Sequence, residues 1–517
     1  MACALAVLGT GSDVGKSLIA AGLCRILARR GKRVAPFKAQ NMALNSFVTI
    51  EGGEIGRAQA LQAQACGLLP HVDMNPILLK PETDQRVQVI VQGKVWDRHD
   101  ACSYGDARDT LWPVVQASYT RLSRQAEVMV IEGAGSAAEV NLKHRDLVNW
   151  PVVRLADAAV LLVADIDRGG VFAQVLGTLD LLEPDERRRV IGLIINKFRG
   201  DPRLFAEGVA FLERRSGVPV LGVIPFLRDL ALDQEDSVSM ECRRTTAFSA
   251  GTVNIAVILL PHMSNFTDFN TLAAEPDVAF GYVRHPADLA QADVIMIPGS
   301  KTTLDDLAYL RDTGFAELLL KLAAQGREIV GLCGGFQMLG RWLADPDGVE
   351  RQGREKGLGL LDIETMFKEP KTARQVVAQP LFPWSKPECP VEGYEIHMGV
   401  TRRGADAPCF RVFQVRQARH AQRMTHHDWS EETDGARSPN ELVWGTYIHG
   451  VFDQPIFRRL WLNQVRQRKG LPPLGEIVSR QVQSHLQSAL DRWADHLERH
   501  LNLAPVWQTV TCGMESA

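Results

Sequence analysis

Short apolar runs along the chain alternate with longer stretches in which apolar positions recur every three or four residues. The first run covers residues 4–8, and an amphipathic helical pattern follows at 16–30, stopping near Gly31. A second run at 34–38 is followed by others at 128–132, 158–164, 190–195 and 220–224, with helical patterns between them. Strands that alternate with helices predict a parallel sheet covered on both faces. Residues 230–251 are polar and irregular and are expected to hold a domain boundary. A second alternating series starts at 253–260 and continues through 294–297, 328–332 and 442–448. Beyond about residue 453 the pattern is helical and charged, ending in a tail at 504–517 that is expected to be mobile. The expected fold is α/β, with two doubly wound, mostly parallel-sheet domains and a C-terminal helical segment. The expected divisions are 1–235, 251–455 and 456–517.

Composition narrows this picture in three ways. A chain of 517 residues exceeds what one core organises, which agrees with two domains. A net charge of −3 argues against nucleic acid as a partner, and the run Arg187-Arg188-Arg189 reads as a solvated helix face. Nine cysteines without a Cys-x-x-Cys pair point to reduced thiols. The first residues lack the basic start and cleavage signal of a secretory peptide, and no apolar run reaches the ~18 residues of a membrane helix. These features predict a cytoplasmic protein with no membrane partner, and they leave a homo-oligomer open.

Two stretches carry chemistry. In the second series, the run 328–332 leads into Gly331-Leu-Cys-Gly-Gly335, and a helical pattern follows. A nucleophile between small neighbours at a strand-to-helix turn is the thiol form of the nucleophile elbow. The helix N-terminus behind the sulfur and a nearby imidazole would activate Cys333. Thr446-Tyr-Ile-His-Gly450 offers His449 as that imidazole. The chemistry implied is acyl transfer from glutamine: the thiolate attacks the side-chain amide, His449 protonates departing ammonia, and water releases glutamate. Backbone N–H groups near Gly334 and in Pro298-Gly-Ser300 are candidates for the oxyanion hole. His426-His427 lies in a polar loop and reads as surface.

The other stretch, Gly9-Thr-Gly-Ser-Asp-Val-Gly-Lys-Ser17, lies between the first strand and the first helix, where a phosphate cradle belongs. Thr10, Gly11 and Gly15 would supply the cradle, Lys16 would reach the β/γ oxygens of ATP, and Ser17 would ligate Mg²⁺. Thr10 stands where the standard pattern has glycine. The apolar run 128–131 ends in Glu132, a carboxylate at the sheet's C-terminal edge that suits a metal. Lys38 and Glu54 are weaker candidates for phosphate and metal.

These residues resemble known families. The loop, with its threonine, is similar to that of the dethiobiotin-synthetase group of ATPases. That resemblance implies Mg²⁺ binding by Glu132 and adenine recognition by Asn196, beside Lys197. The Cys333/His449 pair resembles class I glutamine amidotransferases. That family usually has glutamate two residues after the histidine, where this chain has Val451, so the orienting carboxylate is expected elsewhere. Glu392 and Glu395 are candidates. Both halves together resemble the cobyric acid synthase family, on Phe37-Lys-Ala-Gln-Asn-Met-Ala-Leu-Asn-Ser46, Glu54-Ile-Gly-Arg-Ala-Gln59, Asn75-Pro-Ile-Leu-Leu-Lys-Pro81, Ala164-Asp-Ile-Asp-Arg-Gly-Gly170, Ser264-Asn-Phe-Thr-Asp-Phe269 and Gly393-Tyr-Glu-Ile-His-Met-Gly399. The resemblance implies a P-loop ATPase (amide ligase) domain at 1–235, a class I amidotransferase domain at 251–455 and a helical extension at 456–517. It further implies ATP- and glutamine-dependent amidation of the b, d, e and g carboxylates of adenosylcobyrinic acid a,c-diamide through acyl phosphates. Asn41, Asn45 and the Asp165-x-Asp167-Arg168 segment are the expected corrinoid contacts. Two alternatives stay open: the sister enzyme that amidates the a and c carboxylates, and a nucleotide-switched partitioning ATPase.

Overall fold

The computed structural model describes residues 2–82, 86–100, 104–227, 230, 232, 247–386, 389–414, 432–475 and 482–512. His426-His427 and most of the expected boundary at 230–251 lie outside them. The chain forms two compact units: 1–43, 54–236 and 485–517 make the first, and 44–53 with 237–484 make the second. This partition departs from a linear division at 235 and 455 in two places. A ten-residue piece from the first half counts with the second unit, and residues 485–517 count with the first.

In the first unit, the ten strands used below are β1 (Cys3–Gly9), β2 (Val34–Phe37), β3 (Gln40–Met42), β4 (Ile77–Pro81), β5 (Arg86–Val91), β6 (Lys94–Asp100), β7 (Val128–Glu132), β8 (Ala159–Asp165), β9 (Val190–Phe198) and β10 (Val220–Pro225). Six of them form an all-parallel sheet in the order β10-β9-β8-β1-β7-β2. β1 and β7 are almost wholly buried, as continuous apolar runs in a doubly covered sheet should be. Helix α1 (Lys16–Arg29) follows β1 directly, and α2 (Arg57–Ala65) and α3 (Arg108–Ser123) come before β7. A side sheet of order β3-β4-β5-β6 is an insertion that the apolar pattern did not announce.

The second unit holds a six-stranded sheet built from β11 (Val253–Ile258), β12 (Val278–Val283), β13 (Val294–Ile297), β14 (Glu328–Leu332), β19 (Ala436–Arg437) and β20 (Val443–Thr446). Its order is β12-β11-β13-β14-β20-β19, parallel except at the β19 edge. A second, antiparallel sheet of order β18-β17-β15-β16-β21 uses β15 (Thr372–Pro380), β16 (Val391–His397), β17 (Phe410–Gln414), β18 (Thr433–Asp434) and β21 (Ile448–His449). The chain passes from β20 in the parallel sheet to β21 in the antiparallel one across Tyr447. His449 therefore sits where the two sheets meet.

The C-terminal region is structural. Helix α4 (Pro455–Arg468) packs in the second unit, where fully buried Arg459 faces Glu275 and Asp277 and Trp461 donates to Glu328 Oε1 at 2.7 Å. Helix α5 (Val482–His500) packs on α1 in the first unit. Arg25 holds Asp491 with two bonds of 2.8 and 3.1 Å, and Trp493 Nε1 donates to the Leu18 carbonyl at 2.6 Å. The expectation of a mobile tail at 504–517 is corrected for its described part. Residues Ala504–Cys512 form a helix that buries Val506 and Val510 in the same core as α1.

Candidate active sites

In the first unit, strand β1 ends at Gly9 and helix α1 begins at Lys16, so the phosphate loop fills the gap at the sheet's C-terminal edge. Thr10 N–H donates to the Val163 carbonyl at 2.9 Å, pinning the loop's entry to β8. Lys16 is buried, and its Nζ donates to the Gly11 and Gly135 carbonyls at 2.8 and 2.9 Å. A lysine curled onto loop carbonyls occupies the place where phosphate oxygens would take over its protons.

Glu132, at the end of β7, is the centre of this site. Ser17 Oγ and Lys38 Nζ donate to its Oε1 at 2.7 and 2.8 Å, and Gln62 and Gln59 donate to Oε2 at 2.6 and 3.2 Å. Burial alone would raise its pKa, but the Lys38 charge and these donors hold it below the ordinary carboxylate range. The fixed carboxylate beside a serine hydroxyl offers hard oxygen ligands of the kind Mg²⁺ takes, with substrate phosphates and water completing the shell.

Three other expected residues stand differently. Glu54 is buried, and its Oε1 accepts from Lys80 Nζ at 2.6 Å in an ion pair. Asn196 sits at the end of β9, and its Nδ2 donates to the Val14 carbonyl at 2.9 Å. It braces the phosphate loop through one of its two amide protons. Lys38 meets Glu132, as above.

In the second unit, β14 leads into Cys333 and helix Gly334–Met338 follows at once. Cys333 has φ 51° and ψ −109°, the strained backbone of an elbow. Small neighbours are required here: a Cβ on Gly335 would lie 2.0 Å from the Ile297 carbonyl oxygen. The thiol is buried and faces the Ile396 carbonyl at 3.5 Å. Ser300 N lies 2.8 Å from where a Cβ on Gly334 would sit, so the two candidate oxyanion segments face each other beside the sulfur.

His449 is 1% exposed, and the carboxylate that orients it belongs to Asp268. Asp268 Oδ2 lies 2.6 Å from His449 Nδ1, and its other oxygen accepts the Gly450 N–H at 3.0 Å. Burial would lower the imidazole pKa, but the Asp268 charge and hydrogen bond, together with the Cys333 sulfur, push it up to about 10. At Nε2, Asn265 presents its Nδ2 at 3.2 Å, oriented by the Ser46 N–H that donates to Asn265 Oδ1. That amide favours the neutral ring and opposes Asp268. The carboxylate prevails because it is a full charge, and at this buried position its field is weakly screened.

The other two carboxylates put forward do not orient this ring. Glu395 accepts from Arg374 Nε at 2.6 Å, and Glu392 is exposed. Val451, where the amidotransferase pattern has glutamate, is buried in the apolar core. Asp268 stands in the Ser264-Asn-Phe-Thr-Asp268 motif, which the sequence reading noted only as a mark of resemblance. Nothing in its spacing from His449 announces the pairing.

Residues 5–238 match the family described as the CobQ/CobB/MinD/ParA nucleotide binding domain, and residues 254–457 match the CobB/CobQ-like glutamine amidotransferase domain. A cobyric acid synthase of Syntrophobacter fumaroxidans is 46% identical over 508 residues, covering 96% of this chain and 97% of that one. Those of Listeria innocua and Dehalococcoides mccartyi are 45% and 47% identical, covering 96% and 91% of this chain and 94% and 92% of theirs. The chain belongs to the cobyric acid synthase family. The Glu132 set and the Cys333 elbow each lie within one compact unit. Among the described residues no cluster of three or more His, Cys, Asp or Glu could hold a metal ion. Among them also, no helix is long and apolar enough to cross a membrane.

Proposed function

We propose that the chain amidates the b, d, e and g carboxylates of adenosylcobyrinic acid a,c-diamide, with Cys333 and the Glu132 site acting in series. It is a ligase that forms C–N bonds with glutamine as amide donor. The observation that carries the division of labour is the Cys333–His449–Asp268 relay in a chain that also folds a phosphate loop.

In the amidotransferase, assigned to 251–455, Cys333 attacks the side-chain carbonyl carbon of glutamine. The imidazolium of His449 gives its proton to the departing amide nitrogen, and ammonia leaves. Asp268 holds the ring so that Nε2 faces the reacting atoms, and water then cleaves the thioester to glutamate. In the ligase, assigned to 1–235, a corrinoid carboxylate attacks the γ-phosphorus of ATP and releases ADP. Ammonia displaces phosphate from the acyl phosphate, leaving the amide. A carboxylate is a poor electrophile and an acyl phosphate a good one, provided water is kept out. Lys16 and the loop N–H groups bind the phosphates, and Lys38 and the two glutamines keep Glu132 ionised and fixed. Mg²⁺, held by Ser17 and Glu132, would neutralise the charge that develops on the phosphates. Cys3, Cys24, Cys66, Cys333 and Cys409 are reduced thiols, and cytoplasmic residence is our reading of that.

The test is phosphate release from ATP with glutamine and Mg²⁺, with and without adenosylcobyrinic acid a,c-diamide, following product mass. Corrinoid-dependent turnover with about one mass unit lost per amide is expected. ATP hydrolysis indifferent to the corrinoid, or amidation of cobyrinic acid at a and c, would overturn the assignment. Cys333→Ser is expected to abolish glutamine use and to keep synthesis from ammonia.

A further inference from the structure

A pocket of about 380 Å³ opens in the first unit beside the phosphate loop. One wall runs from Ala134 to Trp150, and Gln40, Tyr104 and Arg108 face it. This wall is tied to the loop at three points: Gly135 O accepts Lys16 Nζ at 2.9 Å, Ser136 bridges Thr10, and Ala137 N donates to Gly9 O at 2.8 Å. An occupant of the pocket therefore lies next to the phosphates that the loop would hold.

The chemistry of its mouth is unusual. Met42, Val140, Leu142 and Leu181 all line it, and they are 58, 58, 51 and 58% exposed. Single exposed apolar side chains are ordinary on protein surfaces, but four around one opening mark a site of contact. Arg108, Lys143 and Arg145 line the same pocket; Lys143 is ion-paired with Glu183 and Glu186 at 2.8 Å, and Arg108 has Asp109 at 3.5 Å. The acids of the lining bond backbone donors: Glu139 accepts Ser136 N at 3.3 Å, and Asp146 accepts the N–H groups of Val148, Asn149 and Trp150 at 2.8 to 3.0 Å. An apolar rim with cations beside a phosphate loop suits a broad apolar ligand that carries several carboxylates. The expected contacts Asn41, Asn45, Asp165, Asp167 and Arg168 are not among the lining residues. They bond to Gln59, the Phe266 N–H, Lys197, Arg199 and Asp13, respectively.

We propose that this pocket receives the acceptor edge of the corrinoid. The reacting carboxylate points toward the phosphate loop, the flank of the macrocycle rests on Met42, Val140, Leu142 and Leu181, and other carboxylates meet Arg108 and Arg145. The volume fits one edge with its side chain, so the remainder of the ring lies at the apolar mouth. This assignment rests on the ligase reading above.

The test uses the full-length protein and adenosylcobyrinic acid a,c-diamide itself. Binding is read by ultrafiltration from the corrinoid's absorbance, and KM from ammonia-driven synthesis. The variants are Val140→Asp with Leu142→Asp, and separately Arg145→Ala; Leu204→Asp, 85% exposed and absent from the pocket lining, is the control. The expected result is a corrinoid Kd and KM raised about tenfold or more in the first variant and several-fold in the second, with the KM for ATP and glutamine hydrolysis as in wild type. Corrinoid binding within about twofold of wild type in both variants would overturn the pocket assignment while leaving the ligase reading intact. A wild-type protein that neither binds nor amidates the corrinoid would overturn both.

Discussion

The side chain of Asp268 does two jobs at once, holding Nδ1 of His449 and the N–H of Gly450 with separate oxygens. Asp268→Asn would keep the shape but lose the charge, and an amide nitrogen facing Nδ1 would favour the wrong tautomer. Glutaminase kcat is expected to fall ~10²- to 10⁴-fold, with ammonia-driven synthesis retained. The pH profile checks the cause. The His449 pKa is raised to about 10, so its imidazolium persists through neutral pH and is lost as pH rises through that value. Removing the charge that raises it should move the alkaline limb of glutaminase activity to lower pH; an unmoved limb would mean that Asp268 acts only through packing. The same linkage sets a stability term: with the folded pKa above the unfolded value, the contribution is complete below about pH 6.5 and disappears as pH rises through about 10. His397, four residues after Gly393, cannot substitute, since burial and the Arg374 charge push its pKa down to about 3. Cys333 and His449 were readable because glycine spacing and strand-to-helix order are local. Asp268 was not, because only the fold brings position 268 to position 449.

Elements show the same contrast. The buried parallel strands were legible as unbroken apolar runs, since a doubly covered sheet leaves no polar alternation. The antiparallel sheet escaped because β15, Thr372–Pro380, alternates buried with half-exposed positions and carries Arg374 and Gln375. Helix α5 was legible as a helix, but its partner was not. Its seat on α1 depends on Gly22, where a Cβ would lie 2.3 Å from Leu497 Cδ1 and 2.8 Å from Trp493 Nε1. Trp493 is 4% exposed and also bonds the carbonyl of Leu18, two residues after the phosphate-loop lysine. Trp493→Ala is therefore expected to destabilise the first unit by ~3–5 kcal/mol, measured by urea denaturation, with weaker ATP binding before global unfolding. Gly22→Ala should disturb the same contact in the opposite way, by overpacking, at ~1–3 kcal/mol.

At the scale of the molecule, sequence order and folded membership differ. Residues 44–53 come from the middle of the ATPase half, yet they belong to the amidotransferase unit. Val48 is fully buried in a cluster with Tyr394 and Ile396, and Tyr394 stacks on the His449 ring at 5.2 Å. Asn45 Oδ1 accepts the Phe266 N–H at 3.0 Å, in the turn that carries Asn265 and Asp268. The glutaminase site is thus completed by a segment that a cut at residue 235 would remove, and an amidotransferase fragment beginning at 251 lacks it. Asn45→Ala leaves a buried N–H without its acceptor, a local cost of ~1–3 kcal/mol that falls on the Asp268 turn. Glutamine hydrolysis is expected to fall about tenfold, a cost of ~1.4 kcal/mol in the transition state. Ammonia-driven synthesis by the same protein should be unchanged, because nothing in the Ser17, Lys38 and Glu132 set depends on Asn45. The two activities measured side by side decide the matter: a parallel loss of both would mean that the segment supports the whole chain and not the histidine relay.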